Sequence, residues 1–411
     1  MRITTPPPGA RADLERISLS EPALYTHGEA HLAWRTLRTE RPVWWSELPG
    51  GGGFWSVTRY PDVRRVLRDH ASFTSERGTA LDLIGVPDPA AGRMMHATDP
   101  PRHQAVRRPL EQPLLAHRVP GYATTARALV REALAPAAGS GSWDAAVALG
   151  RLPAAVMVRL MALPDADADQ LCRAAYASVA PTDANYRTGS VARTLQWSHS
   201  TIVDYFAARA RERARAPGPD LLSHLVGLTV AGRPLTEEEV VLNCYSLLVG
   251  GVVTTAQVAL ATLVALVERG PGPADWPSHV EPAAMVEEAL RWSSPTTHFL
   301  RHAHQDVTIH GTTIHAGEPV AAWIASANRD EALFDRPYSF DPDRRPNRHL
   351  AFGTGVHRCV GRQLARLVLR ELFTALAATV DRVELAGPPV HLASNLIAGV
   401  TSLPVRTTPY R

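Results

Sequence analysis

Phe352-Gly353-Thr354-Gly355-Val356-His357-Arg358-Cys359-Val360-Gly361 is the stretch on which the reading of this chain turns. Gly353 and Gly355 allow a tight backbone turn and a close approach to a flat ligand. Cys359 stands just before an apolar pattern that reads as a helix from Val360 to about Ala378. Free N–H groups and the helix dipole at such a position favour a thiolate. A lone buried Cys is more often an inert core residue, so the neighbours of Cys359 have to decide its role. Zinc does not suit the stretch, because no CxxC pair or second ligand cluster accompanies it. A dinucleotide-binding loop does not suit it either, since the third Gly is misplaced and no strand–helix unit with an acidic partner follows.

Three further patterns lie upstream. Glu288-Ala289-Leu290-Arg291 puts an acid and a base on one helix face about seventy residues before Cys359. Asp99-Pro100-Pro101-Arg102-His103-Gln104-Ala105-Val106-Arg107-Arg108 opens another helix, with His103 and Arg107 one turn apart. Leu247-Leu248-Val249-Gly250-Gly251-Val252-Val253-Thr254-Thr255 lies inside a long apolar run, for which Thr236 and Glu239 form a capping box. Ser246 to Val267 is apolar enough to be tested as a membrane span. Gly250, Gly251, Thr254, Thr255 and Gln257 near its centre favour a buried core helix, so no membrane association is expected.

Together these stretches resemble the cytochrome P450 family. Its signature, Phe-Gly-x-Gly-x-His-x-Cys-x-Gly, is met at every fixed position from Phe352 through Gly353 to Gly361. The resemblance implies haem b, with Cys359 as the thiolate ligand of its iron. It implies that Glu288 and Arg291 support the haem from below. A third residue, usually Arg, closes that network in the family; alignment puts Ser339 there, with Arg336 nearby. His103, Arg107, Arg301 and His357 match the residues that hold the haem propionates. Gly250 and Gly251 match small residues that leave room for dioxygen. Thr254 matches the Thr that directs a hydrogen bond toward that oxygen; the alternative is a helix Thr bonding its own backbone. The acid that usually precedes it, and helps relay protons, is here Val253.

That departure leaves two chemistries open: ordinary monooxygenation with protons from another route, or an atypical oxidation such as coupling, cyclisation, nitration or a peroxide-driven reaction. His298 is a candidate relay, with a plain pocket residue as the alternative. The resemblance places the substrate among Leu83, Val249, Val252, Val253, Thr297, His298, Leu300, Leu396 and Ile397. It implies an apolar small molecule of bacterial secondary metabolism, free or tethered to a carrier protein. Electrons are expected from NAD(P)H through ferredoxin reductase and a ferredoxin docked on the proximal face. Arg358, Arg362, Arg366 and Arg370 recur every four residues there and read either as a docking stripe or as a solvated, internally paired face.

The bulk composition agrees with a soluble enzyme. The 411 residues are 45% hydrophobic and 20% charged. All 43 basic residues are Arg, and a net charge of +3 gives no reason to expect nucleic acid. Three scattered cysteines suit reduced thiols in a cytoplasm. The patterning predicts a mainly α fold with small β-sheets in one large domain over 1–411, and the resemblance implies that this is the P450 fold. It predicts disorder over about 1–8, strands at Phe54–Val57, Val307–Ile314 and Val320–Ile324, a short helix at Pro61–Asp69, and breaks at Ala216–Asp220 and Gly270–Pro277.

Overall fold

The computed structural model describes residues 1–139, 141–268 and 280–409. Helices dominate and the sheets are small. The five-stranded sheet runs in the order β1 (Val43–Glu47), β2 (Gly53–Val57), then Pro319–Ala322, Phe299–Ala303 and β3 (Phe73–Thr74). The chain returns to it late. β4 (Phe299–Ala303) pairs antiparallel with β5 (Pro319–Ala322), which lies parallel to β2 with Ala321 opposite Ser56. The expected strand over Val307–Ile314 is a hairpin of Val307–Ile309 and Thr312–Ile314. His310 and Gly311 both take positive φ at its turn (49° and 77°), the geometry a two-residue hairpin requires.

The helices build the main core. Four carry the argument below: α1 (Arg102–Leu110), α2 (Ala145–Leu160), α3 (Glu237–Glu268) and α4 (Pro282–Ser293), followed by α5 (Arg362–Thr379). α3 begins as its capping box predicts. Thr236 N–H donates to Glu239 Oε2 (2.8 Å), and Glu239 N–H donates to Thr236 Oγ1 (3.2 Å). Among the described residues α3 is the one helix long and apolar enough to cross a membrane, yet it runs through the protein core. Its polar residues explain why it is satisfied there. Gln257 Nε2 donates to Tyr176 Oη (2.9 Å), while Gln257 Oε1 accepts from Val400 N–H (2.7 Å). Asn243 Oδ1 accepts from Met95 N–H (2.9 Å). Each buried amide therefore ties α3 to a different part of the chain.

Two expectations change. Residues 1–8, expected to be disordered, are held against the body: Met1 is buried and its amino group donates to Gly399 O (2.8 Å). Arg35 secures the same segment by donating to Pro6 O and Pro7 O. The cysteine-loop helix begins at Arg362 rather than Val360, because Gly355–His357 forms a separate 3-10 turn ahead of it. The break expected at Gly270–Pro277 lies outside the described residues, whereas the one at Ala216–Asp220 separates two helices as expected.

Candidate active site

The cysteine loop is folded by its glycines. Gly353 (φ 63°) and Gly355 (φ 73°) occupy the left-handed region. A Cβ on Gly355 would come within 2.9 Å of Arg68 Cα and Leu67 O, so this glycine seats the loop on the neighbouring helix. Gly361 has open space at its Cβ position. Cys359 N–H donates to Phe352 O (2.9 Å), which closes the loop.

The surroundings of Cys359 Sγ pull its ionisation two ways. Burial raises the thiol pKa, and that effect is the larger. The Gly361 N–H and the charges of Arg107, Arg362 and Arg366 oppose it. The helix terminus therefore does not by itself produce the expected thiolate. A metal cation at the sulfur would, since a coordinating thiol is deprotonated outright.

The matched anchors converge from three segments. His103 on α1 and His357 in the loop have ring centroids 4.3 Å apart. Both His103 nitrogens and His357 Nδ1 are buried without a hydrogen-bond partner, while His357 Nε2 meets Ser75 Oγ (3.2 Å). Burial, with Arg107 and Arg301 nearby, lowers the His103 pKa to about 4 and that of His357 to about 2. Arg301 on β4 is buried, the only side-chain hydrogen bond of its guanidinium among the described residues being to Leu300 O (2.7 Å), and burial lowers its pKa to about 10. Arg107 pairs with Glu111 through Nε (3.0 Å). Buried polar groups of native proteins nearly always have partners. Unpaired donors on three segments, near a partly buried thiol, fit an anionic group entering beside Cys359. The propionates of a haem are such a group, so these residues fit haem.

Glu288 and Arg291 on α4 have no exposed side-chain surface and form a bidentate pair (2.8 and 2.7 Å). The third member is Arg344. Its Nε lies 3.3 Å from Glu288 Oε2, and it donates to Ser339 O (3.0 Å). Neither position singled out in the sequence supplies that cation. Arg336 is exposed and pairs with Asp335, while Ser339 contributes its carbonyl, which also accepts from Arg291 (3.1 Å). Asn347 Nδ2 adds a bond to Glu288 Oε2 (3.1 Å). Arg344 stands 56 residues from Glu288 in a Pro- and Arg-rich loop with no periodicity to mark it.

On α3 the two glycines separate. A Cβ at Gly251 would meet Met157 Sδ of α2 at 3.0 Å, so Gly251 permits a close helix contact. Gly250 is exposed, with nothing within 4 Å of a Cβ. Ser246, Gly250 and Thr254 recur every four residues and, with Val249, keep accessible surface on one face of a largely apolar helix. Thr254 Oγ1 donates to Gly250 O (2.7 Å). Val252 and Val253 are packed in the core.

The rest of the expected pocket divides similarly. Leu83 and Leu396 are half-buried. Ile397 packs in the main core, and Thr297 is buried with Oγ1 donating to Asn395 O. Strand alternation turns Leu300 into the core around Trp323, and the His298 ring packs at a tilt against that same Trp323 (4.6 Å between centroids). Phe299, which sequence reading passed over, lies under the Arg301 guanidinium (5.9 Å to the ring centre). Its signal was the alternation itself, because a strand that turns His298 and Leu300 inward presents Phe299 and Arg301 to the other face.

The family model described as Cytochrome P450 matches residues 283–397. The chain is 33% identical to "Cytochrome P450 NovI" of Streptomyces niveus, over 99% of this chain and all of that one. It is likewise 33% identical to "Mycinamicin IV hydroxylase/epoxidase" of Micromonospora griseorubida, over 94% of this chain and 99% of the other. Among solved structures, P450 OxyD, "involved in the Biosynthesis of Vancomycin-type Antibiotics", superposes with a TM-score of 0.84 at 35% identity, covering 96% of this chain and 100% of OxyD. Mycobacterium marinum CYP268A2 in complex with pseudoionone gives 0.87 at 30% identity, covering 97% and 99%.

Proposed function

Because the chain belongs to the cytochrome P450 family, we propose that Cys359 ligates the iron of haem b in a bacterial monooxygenase of secondary metabolism. The observation that carries this reading is the convergence of the unpaired His103 and His357 ring nitrogens with the buried Arg301 guanidinium near the partly buried Cys359. When bound, a haem with a thiolate ligand activates dioxygen. The protein's part is then positional. His103, Arg107, Arg301 and His357 would hold the propionates through charge-assisted bonds. Glu288, Arg291 and Arg344 would fix the layer beneath. Gly250 would leave space on the distal side, and Thr254 would offer its hydroxyl there after release from Gly250 O.

The electron route is read as NAD(P)H, a ferredoxin reductase and a ferredoxin, in the cytoplasm. The substrate is read as an apolar small molecule, free or carrier-tethered, bordered by Leu83, Val249, Phe299 and Leu396. A second reading is favoured by one feature: Val253 is buried core where the family's usual acid would stand. An oxidation that needs fewer delivered protons, whether coupling, cyclisation, nitration or peroxide-driven turnover, suits that position.

The deciding measurement is the ferrous–carbon monoxide spectrum. A thiolate ligand moves its main band far to the red, and Cys359→His should abolish that band. A histidine-like spectrum in the native chain overturns the assignment. Substrate-linked NADPH and oxygen consumption, compared with peroxide-supported turnover, separates the two chemistries.

A further inference from the structure

His96 and Ser246 come together from segments 150 residues apart. His96 sits in a 3-10 turn, Met95–Ala97, just ahead of α1. Its Nδ1 lies 2.9 Å from Ser246 Oγ on the open face of α3. Met94, Met95, Ala97 and Thr98 around it are buried, whereas His96 keeps accessible surface. Its Nε2 has no partner among the described residues and is not sealed from solvent. Arg301 and His357 lie within its electrostatic reach, which puts His96 on the rim of the site described above.

The neighbouring helix hydroxyls point to one direction for this bond. The helix hydroxyls of Thr254 and Thr262 donate to the carbonyl four residues back. Ser246 makes no such bond, so its O–H is free to donate to His96 Nδ1. A neutral imidazole that accepts at Nδ1 carries its proton on Nε2 and donates from there. Burial keeps the ring neutral by lowering its pKa to about 4. The open face of α3 otherwise offers Val249, Gly250 and a Thr254 hydroxyl committed to its own helix.

We propose that His96, oriented by Ser246, is the hydrogen-bond donor that selects substrates carrying a carbonyl or other neutral acceptor oxygen. At a rise of about 1.5 Å per residue, Ser246 stands roughly 6 Å along the helix from Gly250 and roughly 12 Å from Thr254. The acceptor therefore belongs about one ring or a short chain away from the carbon that is oxidised. His96 is a positioning and specificity residue, and its role rests on the haem reading above.

The test uses two azoles of nearly equal shape, 1-(4-acetylphenyl)imidazole and 1-(4-isopropylphenyl)imidazole, titrated into the haem-loaded protein by the spectral shift of nitrogen ligation. The imidazole nitrogen anchors each probe and the para group extends along the distal side. One neutral hydrogen bond corresponds to a preference of roughly three- to tenfold for the acetyl probe. Both His96→Phe and Ser246→Ala should reduce that preference to within about twofold of unity while leaving isopropyl binding nearly unchanged. Ser246→Ala keeps the imidazole and its bulk, so the result survives should His96→Phe fold poorly. Equal affinities for the two probes in the native protein, or a preference that persists in both variants, overturns the proposal. The ferrous–carbon monoxide spectrum of each sample separates this from failure of the haem reading: a red-shifted band with no probe preference sinks only the His96 role.

Discussion

His298 has no accessible surface, packs at a tilt against Trp323 and binds Thr297 Oγ1 through Nδ1 (2.9 Å). Its Nε2 is buried without a partner. A protonated ring there would be a buried charge with no counter-ion among the described residues, and burial accordingly lowers its pKa to about 3. These facts argue against the relay role that its position suggested. They also fix the sign of a pH effect. The folded value lies below the unfolded value of about 6.5, so the unfolded chain takes up the proton first. The stabilising contribution is complete above about pH 6.5 and is lost as pH falls toward 3. Its slope approaches roughly 1.4 kcal/mol per pH unit for one fully buried group. His298→Phe keeps the ring packing and should flatten the fall in thermal stability between pH 6 and 4, with product formed per NADPH unchanged. An unchanged acid slope contradicts the assigned environment, and a collapse in coupling restores the relay. Cys359, by contrast, was legible from sequence because its loop is contiguous and Gly353 and Gly355 each have a local backbone reason to be there. His96 was not, because its partner Ser246 lies 150 residues away and nothing local marks either residue.

At the scale of elements, α3 carries two adjacent glycines with opposite duties. Gly251→Ala pushes a methyl against Met157 and should cost about 1 kcal/mol despite the better helix propensity of Ala. Gly250→Ala meets no protein atom and gains roughly 0.5–1 kcal/mol from propensity. Its methyl projects from the open face, where it should weaken azole and carbon monoxide binding. Thermal melts with ligand titrations of both variants check the crossing: one less stable with native binding, the other more stable with impaired binding. The Glu288 network gives a second contrast. Arg291→Met removes the bidentate partner of a fully buried carboxylate and should cost about 3–5 kcal/mol, enough to deplete folded holoprotein. Arg344→Met leaves that pair intact and should cost less, roughly 1–3 kcal/mol. Equal losses in denaturant titrations mean that Arg344 is no mere third member. Element identity was readable wherever one period held, as in α3 with its capping box. Placing Leu300 in the pocket while passing over Phe299 ignored that successive residues of β4 point opposite ways.

Over the whole molecule, a net charge of +3 is small, so any steering of an acidic electron donor depends on where the arginines stand. The four arginines beside Cys359 are not equivalent. Arg366 is bidentate to Glu287 (2.6 and 2.9 Å) and lies over the Phe352 ring (4.6 Å). Arg362 donates to Cys359 O (3.0 Å). These two brace the cysteine loop and are only half-exposed. Arg358 and Arg370 are exposed, and Arg358 precedes the helix instead of continuing its stripe. Arg366 and His349 also hold the Glu287 carboxyl down at about 2, so reversing Arg366 would set two carboxylates together and damage the fold before any docking could be measured. The informative variant is Arg358→Glu with Arg370→Glu. Exposed charges at a face act through the encounter rate and are screened within about 8 Å at physiological salt. Reduction by an acidic ferredoxin should slow about tenfold at low ionic strength, and the gap should close toward 0.5 M salt, on the order of the screening expected there. Reduction by dithionite, which needs no docked protein, should stay at the native rate in the same variant. A gap that ignores salt, or no gap at all, means that electrons enter by another face, and the arginines near Cys359 serve the loop alone.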